Sequence, residues 1–506
     1  MTAPLLSSAV PGGSGARRAA GRLPAAGRTT AWTVAGLLLA LLALVIVRLP
    51  WAGDLGVHAA TLQRLRHGPL DPGNPLVDAD TPSPYYSPWT LLLGTVARLT
   101  GLPVFAVLRL AAAAGLLLLV TGLGRYVRTL SAHRTAPALA LLSLLLLWGT
   151  TPFLWSGFPG LNSLALTVSY PSTFTLGLAF HLWAWLTRAL CGAAGWGAWL
   201  GLGVLWAVIL LCHQFSGVVA TVGAAATVIG TPPGRSALPR PAAGLLAGVV
   251  VLWAWPYYDF FALSGAGDAL EPVHRVLYGD PVARYALVLL GVAALVPRWR
   301  RGRRDPLVVF FALGVLVVAA GWLSGHYSWG RALPAVVVPA QLAAALEAVG
   351  AGHRRLRAGW AALLTGALLI GGWAQSGTLG YVVPRGALPA AVADRYRPPW
   401  TGYHWITPWV RYGDVVMAEG RPARQIPAYG PYTVAPGYPD FFLPDEERRR
   451  RATAAYFAQR TPRSVRRETE REYGVRWVVA RAGALDAAGL RPVARGPDGQ
   501  VLYAVP

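Results

Sequence analysis

The chain has no lysine: all 45 of its strongly basic side chains are arginine. Acids are scarce, 22 in 506 residues, and only 13% of the chain is charged against 54% hydrophobic. Soluble chains carry about 25% charged residues, so a soluble globular protein is excluded. Cysteine is nearly absent, with only Cys191 and Cys212, both in or beside apolar runs. Two such thiols supply neither a disulfide framework nor a zinc-ligand spacing. The net charge of +23 would suit a nucleic-acid partner. The arginines, however, cluster in short loops between apolar runs, a pattern that orients membrane proteins, so nucleic acid is excluded as a partner. What the chain does have is a succession of apolar runs, several near the roughly 20 residues needed to cross a bilayer.

Residues 1–30 are rich in Pro, Gly, Ala and Ser and carry Arg17, Arg18, Arg22 and Arg28, which reads as a disordered cytoplasmic tail. The run 31–49 is too long for a signal-peptide core and lacks a cleavage site, so it reads as an uncleaved anchor. Spans are then expected at 31–49, 103–124, 136–153, 170–187, 195–211, 214–230, 241–257, 282–297, 306–323, 331–348 and 358–376. With the arginine clusters inside, including "PRWRRGRRDP" and "GHRRLRAG", the N-terminus is cytoplasmic and 378–506 lies outside. The acids follow the same threading. Before residue 378, only Asp305 and Glu347 fall inside. Asp54, Asp71, Asp78 and Asp80 share the first outer loop, 50–102, and Asp259, Asp268, Glu271 and Asp280 share the loop after 241–257. No acid lies between Asp80 and Asp259.

The expected architecture is therefore an all-α polytopic membrane domain of about eleven spans, 31–377, in a bacterial plasma membrane. The polar segment 378–506, with strand-like "GDVVMAE", "VRWVVAR" and "QVLYAVP" and a helix-like stretch 445–472, reads as a small extracytoplasmic α/β domain. The "ERRRR" run reads as a solvated helix face.

In "GDLGVHAATLQRLRHG", residues 53–68, Leu55, Ala59, Leu62 and Leu65 recur at helical spacing and Gly68-Pro69 stops the run. This predicts an amphipathic helix lying in the outer interface. Asp54 opens it, either as an N-cap or as an acid acting on something held at the bilayer edge. His58 shares its face one turn on. Asp78-Ala79-Asp80 is either a turn in a Pro-rich loop or a pair of oxygen ligands for a divalent cation such as Mg, Mn or Ca. Residues 84–100 read as a second interfacial helix.

The order of an uncleaved first helix, an outer loop opening on an acid, a helix ending in Gly-Pro, and then "PYYSPWTLLLGTVARLTGLPVFAVLRLAAAAGLLLLVTGLGRYVRTL" resembles the GT-C superfamily of polyprenyl-phosphate-sugar-dependent glycosyltransferases. Protein mannosyltransferases, aminoarabinose transferases and actinobacterial arabinofuranosyltransferases belong to it. Arg109, near the outer end of the next helix, matches the family pattern, and "GVRWVVAR" with the closing "QVLYAVP" looks like the small outer domain many bacterial members append. The resemblance implies a membrane transferase that moves a sugar from a polyprenyl-phosphate donor to a cell-envelope glycan, lipid or protein, with inversion. It also implies that Asp54 is the general base.

A cation is then needed for the leaving phosphate. Arg331 in "SGHYSWGRALP", residues 324–334, is the first candidate, with His326 and Tyr327 beside it; arginine suits bidentate phosphate recognition and sits at the start of a returning helix. The alternative is an interfacial arginine in an aromatic belt. His213, Glu271, His274 and Arg275 are further pocket candidates, and Asp78 with Asp80 a candidate metal pair. A transporter or flippase of lipid-linked sugars is the alternative function. It would place ionisable groups near the midplane of its spans, and these spans are nearly free of acids. A non-catalytic scaffold presenting the outer domain leaves the acid-rich first loop without a purpose.

Overall fold

The computed structural model describes residues 25–192, 194–234, 238–265, 271–484 and 489–506. Most of the expected tail, and Arg235 and Asp268, lie outside the described residues. Within them, a helix falls on each expected apolar run: Ala25–Arg48, Val104–Leu130, Ala136–Leu146, Pro171–Cys191, Trp196–Cys212, Gln214–Gly230, Pro239–Trp253, Val288–Arg301, Pro306–Ser324, Pro334–Gly350 and Arg354–Ala374. Among the described residues, five segments are long and apolar enough to cross a bilayer, and four helices are shorter but apolar. The chain is a multi-pass membrane protein.

Two of the expected runs are broken. Ala136–Leu146 stops after 11 residues, about 16 Å at 1.5 Å per residue, well short of 136–153. The second, expected at 282–297, divides into a short turn, Pro281–Tyr285, and a helix, Val288–Arg301. The two pieces meet where they break: the Thr150 N–H donates to the Ala283 carbonyl at 2.8 Å and the Leu287 N–H to the Trp148 carbonyl at 3.0 Å. A broken helix in a dry interior needs new partners for its freed carbonyls. Here Gln341 Nε2 donates to Leu147 O and Gln375 Nε2 to Leu145 O, each at 2.8 Å. Both glutamines come from distant segments, so apolar-run length alone could not locate the break.

Helices in the bundle approach closely at small residues, as membrane helices do. Val104–Leu130 packs along Pro171–Cys191, where a Cβ on Gly122 would sit 2.6 Å from the Gly177 carbonyl oxygen.

Over one end of the bundle lies a second layer. Its floor is two helices from the first loop, Leu55–His67 and Pro88–Thr100. The second begins with Ser87 and Thr90 capping each other's backbone, and its 13 residues span about 20 Å, short of the roughly 30 Å hydrocarbon core. The roof is the C-terminal region, with a five-stranded sheet of β1 (Val415–Met417), β2 (Tyr432–Thr433), β3 (Val475–Arg481), β4 (Arg491–Arg495) and β5 (Gln500–Ala504) in the order β2-β1-β3-β5-β4. β2, β1 and β3 are parallel, and β5 and β4 continue antiparallel. Glu446–Phe457 and Arg463–Glu472 flank the sheet, and the arginine run pairs along its own helix face, Arg449 with Asp445 and Arg450 with Glu446.

Floor and roof are joined by buried polar bonds. The fully buried Arg64 donates from Nη1 to Gly430 O and from Nη2 to Pro431 O, both 2.7 Å, with its guanidinium 3.6 Å from the centre of the Tyr432 ring. The Thr433 N–H donates to Leu76 O, and the Trp400 N–H to Trp51 O.

Candidate active site

Asp54 stands where the chain leaves the first helix and enters Leu55–His67. Gly53 there has φ of +45°, which puts the turn in the left-handed region and costs glycine little. Asp54 occupies the N-cap position, but its side chain makes no capping hydrogen bond. Its carboxylate has no hydrogen bond or ion pair with another described residue, while the residue keeps a part-exposed edge. Burial pushes this carboxyl above its ordinary value, and the positive charges of Arg331 and Arg424 pull it partly back. An acid raised in this way and free of internal partners is suited to accept a proton from a bound hydroxyl.

Arg331 comes from the 3₁₀ turn Tyr327–Ala332, 277 positions along the chain from Asp54. It is buried, and no described carboxylate pairs with it. Its guanidinium carbon lies 4.5 Å from the Phe215 ring centre and 5.6 Å from that of Trp155, its Nη2 is 3.4 Å from His213 Nε2, and its Nε has no hydrogen-bond partner. A buried cation with an unmet donor is held ready for an anion.

His213 caps the next helix, accepting the Ser216 N–H at Nδ1. Burial, then the Arg331 charge, then His58 hold it well below its usual value. His58 is buried between the Tyr85 and Tyr170 rings, at 5.9 and 4.8 Å, with Nδ1 unpartnered, and burial lowers its pKa to about 3. It is therefore a neutral neighbour. The structure thus brings Asp54, Arg331, His213 and His58 into one site.

The remaining candidates build its wall. His274 is buried against the same two rings as Arg331, 5.7 Å from Trp155 and 5.5 Å from Phe215. Glu271 spends its carboxylate on the next loop, accepting the Ser328 N–H at 2.8 Å and its hydroxyl at 2.7 Å. Arg275 lies over the Tyr327 ring, and His326 is exposed beside Trp329. Arg109 donates from Nε to Val47 O at 2.9 Å, which ties down the last turn of the first helix. Asp78 and Asp80 are both exposed, and no group of three His, Cys, Asp or Glu that could hold a metal occurs among the described residues. A lone exposed pair does not fit a metal centre.

Sequence reasoning missed what the roof contributes. Gly56 allows the turn Arg421–Gln425 to press on the start of Leu55–His67: a Cβ there would stand 1.9 Å from the Arg424 carbonyl oxygen. That contact carries Arg424 within electrostatic reach of Asp54. Arg424 packs over Tyr438, whose hydroxyl donates to Gly53 O at 2.8 Å. Asp440 accepts from Asn74 Nδ2 at 2.7 Å and shares with Asp54 the surroundings of Tyr85. The available signal was "GYPDFF", an aspartate set among aromatics in an otherwise polar region.

The fold is similar to that of solved structures. The arabinofuranosyltransferase AftD from Mycobacteria superposes with a TM-score of 0.57 at 17% identity over 96% of this chain and 40% of its own. ArnT from Cupriavidus metallidurans superposes with a TM-score of 0.52 at 15% identity over 94% of this chain and 98% of its own. The chain thus spans less than half of AftD and nearly all of ArnT. No protein-family model and no curated protein sequence matches the chain.

Proposed function

We propose that this protein is a GT-C-type glycosyltransferase that moves a sugar from a polyprenyl-phosphate donor to a cell-envelope acceptor on the outer face of a bacterial plasma membrane. The observation that carries the reading is a partner-free carboxylate, Asp54, within electrostatic reach of a buried arginine that has no carboxylate of its own, Arg331. The likeness of the fold to AftD and ArnT supports it. In this reading eleven spans leave the N-terminus cytoplasmic and put residues 378–506 outside, as a separate domain.

Asp54 takes the proton of the acceptor hydroxyl as its oxygen bonds to the anomeric carbon. The bond from that carbon to the phosphate oxygen breaks on the opposite face, inverting the centre, and polyprenyl phosphate leaves. Arg331, with neutral His213 at its side, neutralises the charge that gathers on the departing phosphate, an interaction strengthened by exclusion of water. His274, Glu271, Arg275, His326 and Tyr327 shape the loop that holds Arg331.

The test uses purified protein in nanodiscs, a panel of polyprenyl-phosphate-linked pentoses and hexoses, and cell-envelope extract as acceptor. Release of polyprenyl phosphate together with sugar on an acceptor is expected. Movement of intact lipid-linked sugar between leaflets without release would overturn the reading in favour of a transporter.

A further inference from the structure

At the end of the bundle opposite the candidate site, a hollow of about 580 Å³ is lined by Arg28, Trp32, Arg128, Ser131, His133 and Arg134. Arg28 and Trp32 lie on the first helix, Arg128 on the last turn of Val104–Leu130, and His133 and Arg134 on the loop to Ala136–Leu146. None of the three guanidiniums hydrogen-bonds or ion-pairs with another described residue.

Three like charges around one hollow repel one another unless an anion joins them. This chain offers none. Residues 1–53 and 81–258 contain no acid. The two acids expected on this side are engaged: Asp305 with Arg298 at 2.7 Å, and Glu347 with Arg301 and, at 3.9 Å, with Arg298. The hollow also adjoins apolar surface. Trp32 and Leu37 on the first helix and Leu117 on the second are exposed, as expected of side chains that meet hydrocarbon.

We propose that this hollow binds the phosphate of an anionic phospholipid headgroup, with the acyl chains lying along the exposed apolar sides of the two helices. Basic pockets between helices at a membrane surface bind such headgroups. The three guanidiniums grip the phosphate oxygens, and Trp32 covers the glycerol region at the interface. A free phosphate would use the arginines and leave the apolar flank idle.

The full-length protein in detergent is titrated with dioleoylphosphatidylglycerol, dioleoylphosphatidylcholine and inorganic phosphate, and bound molecules are counted by native mass spectrometry. Phosphatidylglycerol is expected to bind, and phosphatidylcholine to stay free at the same concentration. Arg128→Gln and Arg134→Gln are each expected to weaken phosphatidylglycerol binding about fivefold, and the double variant about 25-fold. Both positions are exposed surface arginines, and unchanged melting curves would show the variants folded. Arg467→Gln, exposed in the C-terminal region, is the control and is expected to bind as wild type. Equal binding of the two lipids, a double variant that binds as wild type, or an equal loss in the control would each overturn the proposal. Displacement of the lipid by inorganic phosphate at equal concentration would overturn the lipid in favour of a small-anion site.

Discussion

Replacing Asp54 with asparagine separates catalysis from folding in a single variant. The change keeps the side chain's shape and removes only its charge. No hydrogen bond or ion pair is lost, because the carboxylate has none among the described residues. Burial raises the Asp54 pKa in the folded protein. For an acid raised on folding, the folded state binds the proton more tightly than the unfolded chain. Its contribution to stability is therefore largest below the unfolded-state value and is lost as pH rises through the folded-state value. At neutral pH the charged carboxylate burdens the fold, so Asp54→Asn is expected to melt at the same temperature as wild type or higher. Transfer should fall about 10²- to 10⁴-fold, the range for removing a general base. The assay pairs release of polyprenyl phosphate with a melting curve at pH 7 and pH 5, where the stability gap between variant and wild type should narrow at the lower pH. Turnover equal to wild type would refute the base. A melting temperature lowered by several degrees would show that Asp54 holds the helix start instead.

Of the two positive charges that pull the Asp54 pKa down, Arg331→Gln removes the one with the larger effect. The acidic limb of its kcat/KM profile should move to higher pH, with turnover reduced at least about 100-fold, and Arg331→Lys should not restore it, because an ammonium lacks the planar fork. His58 is already neutral, with its pKa held near 3 by burial; His58→Gln should leave the acidic limb where it is in wild type, as a pH series will show. Arg64→Ala strips partners from two buried carbonyls between floor and roof, a loss of about 3–5 kcal/mol, visible as a lower melting temperature and faster proteolysis of residues beyond 400. Gly56→Val forces its side chain against the Arg424 backbone, and should abolish transfer while shifting the Asp54 acidic limb upward in any residual activity.

Much of the architecture was legible because its signals are local. Apolar runs mark helices wherever hydrocarbon must be met, and the 3.6-residue period with a Gly-Pro stop marked Leu55–His67 as a helix with Asp54 at its start. Strand-like segments at 415–417, 475–481 and 500–504 follow from the same kind of reading. The breaks at Leu147 and near Ala286 were not legible, since they depend on Gln341 and Gln375 arriving from other helices.

By itself, then, the sequence determined that this is a membrane protein, where its apolar runs lie, and that an acid stands at the start of the helix after the first of them. Composition and periodicity act over one turn or one span, and a single chain displays them directly. Tertiary structure alone decided that the acid is not a helix cap. It also brought Arg331 to that acid, left Asp78 and Asp80 on the surface, and supplied Arg424, Tyr438 and Asp440 from the roof. Asn74 and Asp440 are 366 residues apart and meet at 2.7 Å. No period or spacing records such a meeting, because it is set by the packing of the roof on the floor, through the small side of Gly56 and the buried bonds of Arg64.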